Sequence, residues 1–275
     1  GKARAPRPKL IFVSPSRQYP MGMTMSPQRR RELVEFANAT GAWIVEDDYD
    51  NEFRYAGVAL PSLQSLSNTD RIVYLGTFSK SLLPGIRLGY MVVPKTLAPS
   101  FVAAQSTITR QAPLIEQMTL CEFIVSGQFA AHIRRMRQIY SERQTALLTA
   151  AAADLSHIMT VYPAETGMHL VALFAEDVDD VAFCEAAQRR GLSLRPLSIY
   201  YMQEPKRKGL ILGFAATPSP RIVAGVERLA TFAAEFIGID QASLEPMRAS
   251  GTTAPQTGKL GPLPPEHTPI DEPLG

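Results

Sequence analysis

Between Leu10 and Pro94 the chain alternates short apolar runs with one well-marked helical pattern, and this alternation restricts the possible folds more than any other feature. The order is "LIFVSP", "SPQRRRELVEFANATG", "AWIVEDDYD", "RIVYLGTFSK" and "RLGYMVVP". In the helical stretch Ser26 can cap, Pro27 fits the first turn, Leu33, Phe36 and Ala37 share a face, and Gly41 can close the element. Strand, helix, strand in this order predicts a βαβ unit, a mostly parallel sheet with helices on its faces, and ligands at the strands' carboxyl ends. From about Leu97 to Leu155 the pattern turns helical and includes "AAHIRRMRQIYSERQTALLTAAAADL". Beyond it come "HIMTVYP", "MHLVALFA", a helix around "DVAFCEAAQRRG", "GLILGFAA" and a final helix "RIVAGVERLATFAAEFIG", which together predict a smaller α+β lobe. From Asp240 periodicity stops; seven of the chain's 22 prolines lie there and five acids face two bases, so residues 240–275 are expected to be a disordered tail.

A length of 275 residues with 45% hydrophobic and 20% charged residues excludes disorder throughout and leaves material for a large core. The formal charge of +2 is too small for the whole-chain field to hold nucleic acid. Cys121 and Cys184 stand far apart with no Cys-x-x-Cys and no histidine at zinc spacing, which points to a reducing, cytoplasmic setting without a structural metal. No apolar run is long enough to span a membrane, and the opening "GKARAPRPKL" lacks the apolar segment of a signal peptide.

Chemistry concentrates in two stretches. In "TFSKSLLPGIRLGY", Lys80 follows the apolar "RIVYLG" and therefore belongs at the rim where parallel strands end. A lone lysine in such a turn is usually solvated. Here Thr77 and Ser79 add hydroxyls, Arg87 adds a planar cationic fork suited to phosphate, and Pro84-Gly85 forces a turn that can fold Arg87 back toward Lys80. A lysine that attacks an aldehyde must be partly neutral, a state favoured by a nearby guanidinium or an apolar wall. In "WIVEDDYD", alternation along an extended segment sends Asp47 and Tyr49 to one face and Glu46 and Asp48 to the other. An acid beside a phenol suits a pyridinium ring bearing a phenolate, and each charge-assisted bond there is worth about 1.5–3 kcal/mol.

The runs "SPSRQYPMG", "IVEDDYDNEFRY" and "YLGTFSKSLLPGIRLGYMVVP", in this order and spacing, resemble pyridoxal-phosphate-dependent fold type I. They look closest to the aminotransferase-like effector domain of MocR/GabR-type transcription regulators. The resemblance spans roughly residues 8–238. It implies a partial fold type I: large-domain part over 1–115, linking helix and C-terminal small domain over 116–239. It implies that Lys80 forms the aldimine with pyridoxal 5'-phosphate, that Asp47 binds the pyridine nitrogen and Tyr49 the ring oxygen, and that Thr77, Ser79 and Arg87 hold the phosphate. It also implies a homodimer, a small amine or amino-acid effector, and DNA contact through an amino-terminal winged helix.

Several departures bear on this expectation. The family's enzymes carry Asp-x-x-Tyr where this chain has Asp47-x-Tyr49, the regulators' spacing. Tyr19 stands where the enzymes place an asparagine before the turn proline, so the resemblance implies a cofactor contact there without that amide's bond to the ring oxygen. Arg17 replaces a histidine common in the regulators; a solvated loop arginine and a ligand contact are equal readings of it. Ile211 occupies the place expected for the arginine that clamps a substrate carboxylate, and Arg195 in "LSLRPLS" is the nearest substitute, though such arginines are more often surface residues. Arg134, Arg135 and Arg137 beside Ile133, Met136 and Ile139 make an amphipathic helix with a charged outer face, and His132 and His169 are taken as structural.

The resemblance begins late in the family's pattern. An amino-terminal truncation is therefore expected, leaving strand edges and apolar helix faces uncovered. The preferred reading is an effector domain confined to aldimine exchange. A class I/II aminotransferase of the aminoadipate or kynurenine type, moving an amino group to a 2-oxo acid, is the alternative, and a cofactor-free remnant serving in dimer contacts is a third.

Overall fold

The computed structural model describes residues 7–67, 70–111 and 113–238; the expected tail from Asp240 lies outside the described residues. Among the described residues two compact units form: residues 7–141 with Glu165–Met168, and Glu142–Ala164 with residues 169–238.

The first unit is built on a four-stranded sheet, β1 (Leu10–Val13), β2 (Trp43–Asp48), β3 (Ile72–Thr77) and β4 (Gly89–Val92), in that spatial order. The first three strands are parallel and β4 runs antiparallel to β3. The carboxyl ends of β1, β2 and β3 therefore share one rim, where the chain turns into loops. The crossover from β1 to β2 is α1 (Pro27–Thr40), with the Ser26 side chain accepting from Arg29 N and Gly41 in the left-handed region at φ 76°.

Its buried stripe is Arg30, Val34 and Ala37, with Leu33 partly buried, and this corrects the expected face: Phe36 is 45% exposed. The spacing i, i+4, i+7 selects the stripe, and a charged residue completes it because its guanidinium donates to the carbonyls of Met25, Pro61 and Pro15. Val34, Ala37, Ala42, Ile44, Leu63 and Ile72 form the core between α1 and the sheet.

The short helices α2 (Leu63–Leu66) and α3 (Phe78–Ser81) follow, then α4 (Ala98–Ile108), α5 (Leu114–Val125) and the long α6 (Gln128–Asp154). The division between units falls inside α6, whose first half packs with the first unit: Tyr140 meets Phe53 edge-on and Arg137 Nε donates to Glu52 O. Arg134, Arg135 and Arg137 lie exposed beside buried Ile133.

In the second unit β5 (Met159–Tyr162), β6 (His169–Phe174), β7 (Arg195–Pro196) and β8 (Gly209–Gly213) make an antiparallel sheet in the order β5-β6-β8-β7. It is accompanied by α7 (Asp180–Arg189) and α8 (Ser219–Ile237). Phe183 stacks edge-on with Phe174, Phe232 and Phe236. The buried Asp180 carboxylate accepts from Leu197 N, Ser198 N and Gly209 N, joining α7 to β7 and β8. Among the described residues, no helix is long and apolar enough to cross a membrane.

Candidate functional site

The rim of the parallel strands carries the residues picked out above. Ile44, Glu46 and Asp48 fill the buried positions of β2, which leaves Asp47 on the other face. Asp47 lies opposite Leu75 across the β2–β3 ladder; Tyr49 follows directly on β2, and Thr77 ends β3. Tyr19, from the loop after β1, joins Asp47 and Tyr49 in lining a cavity of about 620 Å³ with Val13, Ser14 and Gln18. Burial, reinforced by the negative charge of Asp48, raises the Asp47 carboxyl above its usual range. The Tyr49 phenol is also raised, chiefly by burial. Its hydroxyl is buried and, among the described residues, has no hydrogen-bond partner of ordinary geometry. A buried orphan donor is costly, by about 1–3 kcal/mol, and marks a place where an acceptor is missing.

Just past β3, Thr77 caps α3, its Oγ1 accepting from Ser79 N at 3.2 Å. Lys80 lies in this helical turn and is exposed, and its positive charge stabilises the ionised form of Asp50. His132 on α6 stands 3.1 Å from Ser81 O and ties the lysine's turn to the long helix. Gly76 leaves room for the Tyr90 ring, which a Cβ there would strike. A 3-10 turn at Pro84–Ile86 then delivers Arg87, exposed and in the left-handed region at φ 52°.

Other polar contacts were not anticipated. Arg17 is not a solvated loop residue: it and Asp50 are each 2% exposed and pair at 3.2 Å. Arg17 also donates to the carbonyl of Thr166, in the segment that joins β5 to β6 and packs with the first unit. Burial pushes the Asp50 carboxyl up to about 7 against the opposing pull of Arg17. Below the rim, Glu46 accepts from Leu63 N and Gln64 N, and Asp48 accepts from the Tyr74 hydroxyl at 2.8 Å. The alternation of Ile44, Glu46 and Asp48 was the sequence signal for these buried acids. In the second unit, Arg195 is exposed and lies directly across the β7–β8 ladder from Ile211. Among the described residues, no cluster of His, Cys, Asp and Glu is arranged to hold a metal ion.

An α/β sheet with an acid and a phenol at the end of one parallel strand, and a lysine just past the next, has the architecture of the pyridoxal-phosphate-dependent fold type I. The chain belongs to the class I and II aminotransferase family, whose profile matches residues 2–228. It is 37% identical over 251 residues to the probable rhizopine catabolism regulatory protein MocR of Rhizobium meliloti, covering 91% of this chain and 50% of that protein. It is 32% identical over 206 residues to the HTH-type pyridoxine biosynthesis transcriptional regulator PdxR of Corynebacterium glutamicum, covering 75% and 44%. The chain thus spans about half the length of the curated relatives it matches. Among solved structures, Pyrococcus horikoshii kynurenine aminotransferase, in complex with PMP and with KYN and KYA, superposes with a TM-score of 0.76 at 28% identity. That match covers 83% of this chain and 57% of the other.

Proposed function

We propose that this chain is the pyridoxal-phosphate-binding, aminotransferase-like effector domain of a MocR/GabR-type transcription regulator. The observation that carries the reading is the buried, unpartnered Tyr49 hydroxyl beside a half-buried Asp47 carboxylate in one cavity. Both suit the cofactor, Asp47 accepting from a protonated ring nitrogen and Tyr49 donating to the ring oxygen. Thr77, Ser79 and Arg87, gathered within one strand-to-turn passage, offer hydroxyls and a guanidinium to the phosphate. Tyr19 forms part of the cavity wall. When bound, the cofactor supplies an aldehyde and an electron-withdrawing ring. Lys80 would hold it through its amine, in a turn fixed by the Thr77 cap and the His132 contact.

The effector in this reading is a small amine or amino acid that competes with Lys80. Its arrival would leave the Lys80 amine free within the α3 turn. DNA contact belongs to a winged-helix domain outside these residues, and the working form is a homodimer. The similarity to regulators exceeds that to aminotransferases in identity, which favours a chemistry that ends at exchange over full transamination.

The test is to mix the chain with pyridoxal phosphate, reduce with borohydride and map the adduct by mass spectrometry. A single adduct at Lys80, absent from K80A, is expected. Adducts scattered over surface lysines and unchanged in K80A would sink the proposal. Turnover of an amino donor with 2-oxoglutarate would instead establish the aminotransferase.

A further inference from the structure

Residues 165–168 lie in the connection from β5 to β6, yet they pack as part of the first unit. The segment after β2 holds them there as a strap. Gly167 N donates to Phe53 O at 2.9 Å, Tyr55 N and Ala56 N donate to Glu165 O at 2.8 and 3.3 Å, and the Tyr55 hydroxyl donates to Gly167 O. Arg54 pairs with Glu165 at 3.5 Å. The strap also meets Arg17, which donates to Thr166 O and pairs with Asp50 at 3.2 Å. A Cβ at Gly167 would collide with Arg17 Nε, and Gly167 sits at φ 86°, so close approach and backbone conformation both keep that position glycine.

Arg17 opens the loop that makes one wall of the 620 Å³ cavity, where Gln18, Tyr19, Met23, Thr24 and Met25 join Asp47 and Tyr49 in the lining. The loop is turned back on itself: Gln18 N donates to Met23 O at 2.8 Å, Gly22 N to Gln18 O at 2.7 Å and Met25 N to Pro15 O at 2.8 Å. Gly22, at φ 71°, lies against the guanidinium, which a Cβ there would approach to 3.4 Å. One side chain, 2% exposed, therefore touches the cavity loop at Gly22 and the strap at Thr166 and Gly167. Closely packed on both sides, it cannot shift without moving one of them. Thr166 and Gly167 are not among the residues that line the cavity.

We propose that the Glu165–Met168 strap is a positioning element for this cavity: through Arg17 it holds residues 18–25 in the shape that walls the space beside Asp47 and Tyr49, so that loosening the strap weakens binding there. Coupling of this kind is reciprocal, and a ligand in the cavity steadies the strap. Affinity is thus set in part by a segment about 150 residues further along the chain that does not touch the ligand. Taking the ligand as pyridoxal phosphate rests on the function proposed above; the coupling of strap and loop does not.

Amide hydrogen exchange on the purified, ligand-free chain tests the coupling first. G167A adds one methyl group and no charge. It should speed exchange at the loop amides of Gln18, Gly22 and Met25 about tenfold and leave Ile44, bonded to Arg71 O beside the core, unchanged. In an R17A background the same substitution should add nothing at the loop, because the side chain it displaces is gone. Equal increments in the two backgrounds would overturn the proposal. Should G167A fold poorly, R17A decides: the amides of Tyr55, Ala56 and Gly167, which fasten the strap, should exchange about tenfold faster, and equally so in R17A/D50N, where no unpaired acid is left behind. Slow exchange at these amides in R17A, or its recovery in R17A/D50N, would count against a link through the guanidinium. In the wild type, saturating pyridoxal phosphate should slow exchange at Tyr55 and Gly167, and G167A should weaken its binding about tenfold. A chain that forms the Lys80 adduct with strap exchange unaltered refutes the coupling. A chain that forms no adduct removes the cofactor reading and leaves the ligand-free results to decide the link between strap and loop.

Discussion

Arg30 shows how a charged residue can be a core residue. Its three donors satisfy the carbonyls of Pro15, Met25 and Pro61, which pins the loop after β1 and the segment before α2 to the buried face of α1. R30M keeps the bulk and removes the donors, leaving three buried acceptors to find water. A loss of about 3 kcal/mol or more is expected, read as a lower urea midpoint with an unchanged slope. Tyr49 behaves in the opposite way, because its hydroxyl is already unsatisfied. Y49F should raise the stability of the ligand-free chain by about 1 kcal/mol while weakening pyridoxal phosphate binding about tenfold, measured by denaturation and by titration of the cofactor. A variant that is more stable and binds worse is the mark of a side chain kept for a ligand. That Asp47 and Tyr49 line one cavity and that Lys80 follows β3 was legible from strand alternation and residue order. Arg17 and Arg30 were not, since nothing local in a sequence distinguishes an arginine that will find three carbonyls or a buried acid from one that stays in water.

At the scale of elements, β2 and its exit carry an unusual load of acids. Glu46, Asp47, Asp48, Asp50 and Glu52 all have carboxyls raised by burial, only partly offset by backbone donors, Tyr74, Arg17 and Arg30. A carboxyl raised on folding binds protons more tightly in the native state, so its contribution is fully present below the unfolded value and is lost as pH rises through the folded one. For Asp50 that window runs from 3.8 to about 7. The ligand-free chain should therefore lose stability steadily across this interval, and urea midpoints measured between about pH 5 and pH 8 should fall. D50N should flatten part of that slope. A stability that rises over the same range would contradict the buried-acid account. The β-strands, α1 and its caps were readable because period and capping chemistry are local. The buried face of α1 was misread at Phe36, because an apolar side chain on a helix faces the core only if the sheet lies on that side.

At the scale of the molecule, β1 and the stretch from α4 to α5 display apolar surface among the described residues of the first unit. β1 is an edge strand with Leu10 61% and Phe12 64% exposed, and α4 buries none of its residues while α5 buries only Leu120. Ile115 and Met118 on α5 are 77% and 64% exposed. Surface of this kind drives association in water. The purified chain should bind a hydrophobic dye in its native state and self-associate in sedimentation experiments. I115E/M118E should reduce both effects while changing unfolding free energy by less than about 0.5 kcal/mol, since neither side chain contributes to the core.

The sequence by itself determined the order of strands and helices, the parallel sheet, and which rim would carry the lysine, the acid and the phenol. Those follow from periodicity, caps and residue types acting over short spans of chain. Only the tertiary structure decided that Arg17 is buried on Asp50 against a segment about 150 residues away in the chain, that Arg30 completes a core, and that Tyr49 keeps an unpaired hydroxyl. These are outcomes of burial, and burial is set by which distant parts of the chain exclude water together.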